Sequence, residues 1–154
     1  MHIAMEILND CRAAQRHLED IDDPAIRRIL WAGLITSLRA IGDVLDRDDS
    51  KSVRSNYQAA AKEWVDEETG DPVWKEFIRA ERNQVVHEFR FGHSEGPQLV
   101  LVDKIGESPL FELESDVYWP MEVGPFAGMD ARDAITEAIL WWEKNLKKIL
   151  PNSP

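Results

Sequence analysis

Over the first ninety residues apolar side chains recur at steps of three and four, and the run is cut twice by aspartate followed by proline, at Asp23-Pro24 and Asp71-Pro72. Steps of three and four line one face of a helix, whereas a strand would need steps of two. An aspartate can cap the free amides of a first turn, and a proline there sacrifices no hydrogen bond. The pattern predicts an all-α chain in the main, built as a four- to five-helix bundle. The first helix carries Ile3, Ile7, Leu8, Cys11, Ala14 and Leu18. The second carries Ile26, Ile29, Leu30, Gly33, Leu34, Ser37, Leu38, Ile41 and Leu45, with Gly33 and Ser37 small enough for another helix to pack closely. A third helix is expected from a cap at Ser52 to Gly70, half exposed, with Gly70 suited to the left-handed turn after a helix. A fourth runs from about 72 to 91, closed by Gly92 and the Gly96-Pro97 pair.

The periodicity then changes. Residues 98–104 form a short β-prone run, Leu110 to Trp119 alternates imperfectly, and Gly106-Glu107-Ser108-Pro109 supplies turn residues between them. This predicts a small β-hairpin insertion at about 98–119 between the last two long helices. Pro120 to Gly128 reads as a loop, and Asp130 as the cap of a last helix bearing Ala134, Ile135, Ala138, Ile139, Trp142, Leu146 and Ile149. Residues 1–154 are expected to form one helical domain.

Charge narrows the function classes. The chain has a net charge of −11, so a general coating of nucleic acid is disfavoured by long-range repulsion. Residues 1–70 hold 9 Lys/Arg against 14 Asp/Glu, and residues 94–154 hold 5 against 11. Residues 71–93 hold 4 against 4 and add His87 and His93, so the one segment without acidic excess leaves room for a local cationic cleft. The lone Cys11 excludes an internal disulfide framework and suits a small core position in a reducing compartment. The start lacks the basic and apolar regions of a signal peptide, and no run is long enough to span a membrane. A cytoplasmic protein is the expectation.

On a wheel of roughly 100° per residue with Trp74 at zero, Phe77, Ile78, Val85 and Phe89 share an apolar arc. Arg79, Asn83, His87 and Arg90 gather on the opposite side, and Arg82 sits at the boundary. An arginine at such an edge is partly shielded, which strengthens a forked bond to phosphate. Histidine is the side chain that exchanges protons near neutral pH. The run Glu81-Arg82-Asn83-Gln84-Val85-Val86-His87-Glu88-Phe89 resembles the signature of HEPN domains, in which an arginine and a polar residue precede a histidine near the end of a long helix of a bundle. That resemblance implies a metal-independent endoribonuclease, or a relative without activity, that meets its partner as a homodimer. On this expectation Arg82 stabilises the phosphorane, His87 handles protons and Asn83 orients one of them, with Arg79 and Arg90 as RNA-binding cations; no cofactor or metal ion is called for. It further implies a toxin or phage-defence role with an antitoxin protein as possible partner. Phe89 stands where antitoxin-paired members commonly carry a tyrosine that can be nucleotidylated, so silencing by that route lacks its hydroxyl here.

Two other readings compete. The same face can serve a non-catalytic helical module that binds a nucleotide or a protein, or the chain can be a structural or regulatory homodimer that carries the motif by accident, its Arg82 and His87 on a solvated helix face with a salt bridge to Glu81, Glu88 or the acidic bulk. His87 and His93 lack the ligand spacing and cysteine neighbours of a metal site, and His2 and His17 read as surface residues. Trp31, Trp74 and Trp142 are expected in the core, whereas Trp64, Trp119 and Trp141 are assigned to a dimer interface or to the loop after the hairpin.

Overall fold

The computed structural model describes residues 1–96, 98–101, 110–113 and 117–150. Among them helices dominate. His2 accepts the amide of Ala4 at 3.1 Å to start α1 (Ile3–Glu19), which buries Ala4, Leu8, Cys11 and Leu18 at steps of four, three and seven. Asp23 accepts the amides of Ala25 and Ile26, and Pro24 fills the first turn of α2 (Pro24–Asp46), as the aspartate–proline signal requires. α2 is the central element. It packs against α1, α3 (Lys51–Trp64), a π-helical segment (Val73–Ile78), α4 (Arg79–Glu88) and α5 (Ala131–Ile149), and buries Trp31, Leu34, Ile35, Leu38, Ile41 and Leu45. Asp130 caps α5 through the Arg132 amide, and α5 buries Ala134, Ile135, Ala138, Ile139, Trp142, Leu146 and Ile149. No helix among the described residues is long and apolar enough to cross a membrane.

Several expectations need correction. The α2 stripe is narrower than the sequence suggested, because Ile26 and Ile29 are exposed and a Cβ on Gly33 would meet nothing within 4 Å. The helix that Gly33 was expected to admit is therefore not supplied by the described part of this chain. α3 starts after Ser50 rather than at a Ser52 cap, and it ends at Trp64, not near Gly70. Asp66 stops it by accepting the amides of Glu68 and Thr69. Gly70 is not left-handed; it is needed because a Cβ would collide with the carbonyls of Asp66 and Trp64.

The tryptophans form one core. Trp64 and Trp119 are buried, and half-buried Trp141 stacks on Trp74 at 5.8 Å while its Nε1 donates to Asp71. None of the three stands free for an interface, because Trp64 and Trp141 cluster with Trp74 and Trp142 at ring distances of 4.7 to 5.8 Å, and buried Trp119 stacks with His93. Trp142 donates to the Leu38 carbonyl at 2.8 Å, which joins α5 to α2. Cys11 is buried as expected, and burial pushes its thiol up to about 12, so it stays protonated and inert.

In the expected insertion, β1 (Gln98–Leu101) pairs antiparallel with β2 (Leu110–Leu113), with Gln98 opposite Leu113 and Leu101 opposite Leu110. The turn expected at Gly106 to Pro109 lies outside the described residues. Trp119, expected at the end of the second strand, belongs to the core instead.

Candidate functional site

The expected fourth helix is two structures joined end to end. Asp71 accepts the Val73 amide at 2.9 Å and starts the π-helical segment, in which the Arg79 amide reaches back to the Trp74 carbonyl. π-Helical turns are rare and are often found near functional sites. α4 then runs from Arg79 to Glu88, ending three residues earlier than predicted. Phe89 terminates it in the left-handed region (φ 51°, ψ 40°), a conformation that costs a residue with a Cβ about 1 kcal/mol. Its side chain is 67% exposed and lies against Phe91, so it leaves the apolar stripe to which the wheel assigned it. The buried side of this stretch is Trp74, Phe77, Ile78, Glu81 and Val85.

Arg79, Asn83 and His87 are exposed on the outer side of α4, and Arg82 is half-buried at its flank. Asn83 and His87 are one turn apart and share a face. Arg82 stands five residues before His87, roughly 140° away around the helix, and it donates to the Asn83 side-chain oxygen at 3.2 Å. Arg90 lies beyond α4 in an exposed pair with Glu88 at 3.2 Å, so it does not join the row. Neither Arg79 nor Arg82 makes an ion pair among the described residues. A groove of about 350 Å³ between α1 and α2, and another of about 390 Å³ beside Trp141, are lined by other residues.

Glu81 is the residue the motif conceals. It is 3% exposed, and its carboxylate accepts from Trp31 Nε1 at 2.8 Å and from the Gly92 amide at 2.9 Å. Burial pushes its pKa up, opposed by these two donors. The contact ties the base of the motif helix to α2 and to the chain that doubles back after Phe89. Gly92 has to be glycine, because a Cβ would strike Glu81 Oε2 and press on Met121. Gly92→Ala is therefore expected to cost about 1–3 kcal/mol, seen as a thermal midpoint lower by several degrees; an unchanged midpoint would show that the turn yields without cost. A signal for Glu81 existed in the sequence, since it falls at roughly 340° on the wheel, inside the apolar arc.

His93 is the second residue that the sequence concealed. It is buried rather than exposed, between Trp31, Phe91 and Trp119. No sequence signal marks it, because two of its neighbours, Trp31 and Trp119, come from distant segments. Nor does it face His87, which is on the outside of α4. His2, expected on the surface, is half-buried and bonds Asp48 at 2.6 Å while capping α1.

Compared with protein-family models, curated proteins and solved structures, the chain matches none.

Proposed function

We propose that this chain is a HEPN-like, metal-independent endoribonuclease that acts as a homodimer, with a toxin or phage-defence role as its setting. The reading is carried by one observation. Asn83 and His87 are presented outward from α4 and Arg82 is half-buried at its flank, while both neighbouring acids are engaged elsewhere, Glu81 with Trp31 and Gly92, and Glu88 with Arg90. The competing account in which Glu81 or Glu88 neutralises Arg82 loses those two partners, and no other described acid pairs with Arg82. An arginine with no acid partner among the described residues and a histidine on the same helix suit a phosphodiester once brought together, with the cation meeting the developing negative charge and the imidazole moving protons.

Cleavage by the RNA's own 2′-hydroxyl needs a base for that proton and an acid for the departing 5′-oxygen. One chain supplies one motif histidine, so a second copy has to supply the other. Val86 and Phe89 are 48% and 67% exposed beside His87 and offer apolar area for that contact. Arg79 adds a phosphate-facing cation, whereas Arg90 must leave Glu88 to do so. The separation of Arg82 from His87 around α4 favours one alternative, a non-catalytic module that binds a nucleotide or a protein on this face.

The test is incubation of the purified protein with mixed RNA in EDTA, with analysis of product ends and sedimentation of the protein. Cleavage that leaves 2′,3′-cyclic phosphates, from a dimer, is the expected result. A folded dimer without cleavage points to the non-catalytic module, and a strict monomer removes the composite site altogether.

A further inference from the structure

The chain that leaves α4 is clasped to the loop preceding α5, and His93 is at the centre of the clasp. Its backbone forms an antiparallel bridge with Met121. On either side the Glu122 amide donates to the Gly92 carbonyl at 2.7 Å, and the Ser94 amide donates to the Pro120 carbonyl at 2.9 Å. The imidazole meets the edge of Trp31 at 4.7 Å, stacks with Trp119 at 5.4 Å and tilts against Phe91 at 5.7 Å. The ring nitrogen Nδ1 lies 3.2 Å from the Ser94 carbonyl, which can only accept, so Nδ1 carries the hydrogen of the neutral ring. That leaves Nε2 with a bare lone pair, and this atom is buried with no hydrogen-bond partner among the described residues.

A proton on Nε2 would find the worst of surroundings. Trp119 already carries the Arg27 guanidinium at 4.2 Å and that of Arg132 at 5.4 Å. Among the acids nearby, Glu81 of α4 is committed to Trp31 and Gly92. Glu95, on His93's own segment, pairs with Arg28 of α2 at 3.6 Å, and Glu122 of the facing loop is exposed. Asp130 is taken by Arg132. An imidazolium would thus be a buried third cation with an unmet N–H, which is costly.

We propose that His93 is a proton-sensitive latch: neutral, it holds the segment behind the motif helix against the loop before α5, and protonated at Nε2 it leaves its aromatic slot and frees that segment. The proton comes from solvent and returns to it, and no bond other than N–H is made or broken. Burial supports the direction by lowering the His93 pKa from its ordinary value of 6.5. A group with a depressed folded-state pKa contributes stability that is full above 6.5 and is lost as pH falls below it.

The latch is tested without RNA, so it stands or fails separately from the ribonuclease reading. Amide exchange at Gly92, Ser94 and Glu122, corrected for intrinsic rates, would be compared at about pH 7.5 and about pH 5. In the wild type these amides are expected to open more than tenfold more often at the lower pH, while remaining less protected than Trp142. His93→Phe, which keeps an aromatic ring in the slot, should abolish the difference; His93→Gln, also neutral at both pH values, serves if the phenylalanine variant does not fold. Equal acid response in wild type and variant would overturn the latch. So would protection of the clasp equal to that of Trp142, because the segment would then open only when the whole protein unfolds.

Discussion

His87→Ala is expected to lower the rate of RNA cleavage by about a hundred- to ten-thousandfold, the range that one positioned proton carrier contributes. Arg82→Ala should lower it by a comparable factor, because an unmatched phosphorane charge costs about as much as a lost oxyanion donor. Neither change should move the thermal midpoint appreciably. His87 is exposed, and Arg82 is half-buried with a single bond to its neighbour Asn83, so stability effects should stay within about 0.5–1 kcal/mol. The combination of lost activity and intact folding is what makes the result decisive. Cleavage unaffected by either substitution would show that a contaminant or another surface does the cutting. Mixing the two variants offers a further check on the shared site. Each heterodimer holds one Arg82 and one His87 where the proposed site needs two histidines, so the mixture is expected to stay well below the wild type, and a wild-type rate would contradict the two-histidine site.

Glu81→Ala, one residue before the motif arginine, is expected to have the opposite profile. It removes the acceptor for two N–H groups, one from Trp31 and one from Gly92, at a site that is 3% exposed. A buried donor left without a partner costs about 1–3 kcal/mol, and the void adds to it, for a total of about 3–5 kcal/mol. For a chain of this size the midpoint would fall by roughly 10 °C. Glu81→Gln keeps an acceptor oxygen and should cost far less. Its dependence on pH has a definite sign. The folded-state pKa of Glu81 is raised above its ordinary 4.5, so the contribution of the acid is full below 4.5 and is lost as pH rises through the raised value. Glu81→Gln should therefore gain on the wild type as pH rises from acid to neutral. Thermal melts of both variants over that range check the claim, and a Glu81→Ala protein that melts with the wild type would sink it.

These two neighbours show how far local pattern reaches. The helices followed from period and punctuation: Asp23-Pro24 and Asp130 act within a turn of their own position, and their caps are formed as the residue types require. The exposure of Asn83 and His87 followed as well, since polar residues opposite an apolar arc have nowhere else to go. Less was legible where the outcome depends on what arrives from elsewhere. Phe89 looked like a stripe residue, yet the chain must turn there to bring Gly92 to Glu81, so the helix ends and the ring is left outside. Trp119 looked like a strand end or an interface residue and is buried between His93 and Arg27.

By itself the sequence determined the class of fold, the starts of α2 and α5, and the outward face of Asn83 and His87, because each depends on interactions spanning a few residues. Only the tertiary structure decided that Glu81 turns inward and that His93 is buried, because each is settled by partners from elsewhere in the chain: Trp31, 50 residues from Glu81, and Trp31 and Trp119 around His93. Desolvation and hydrogen-bond satisfaction are properties of such assembled neighbourhoods, and no spacing along the chain records them.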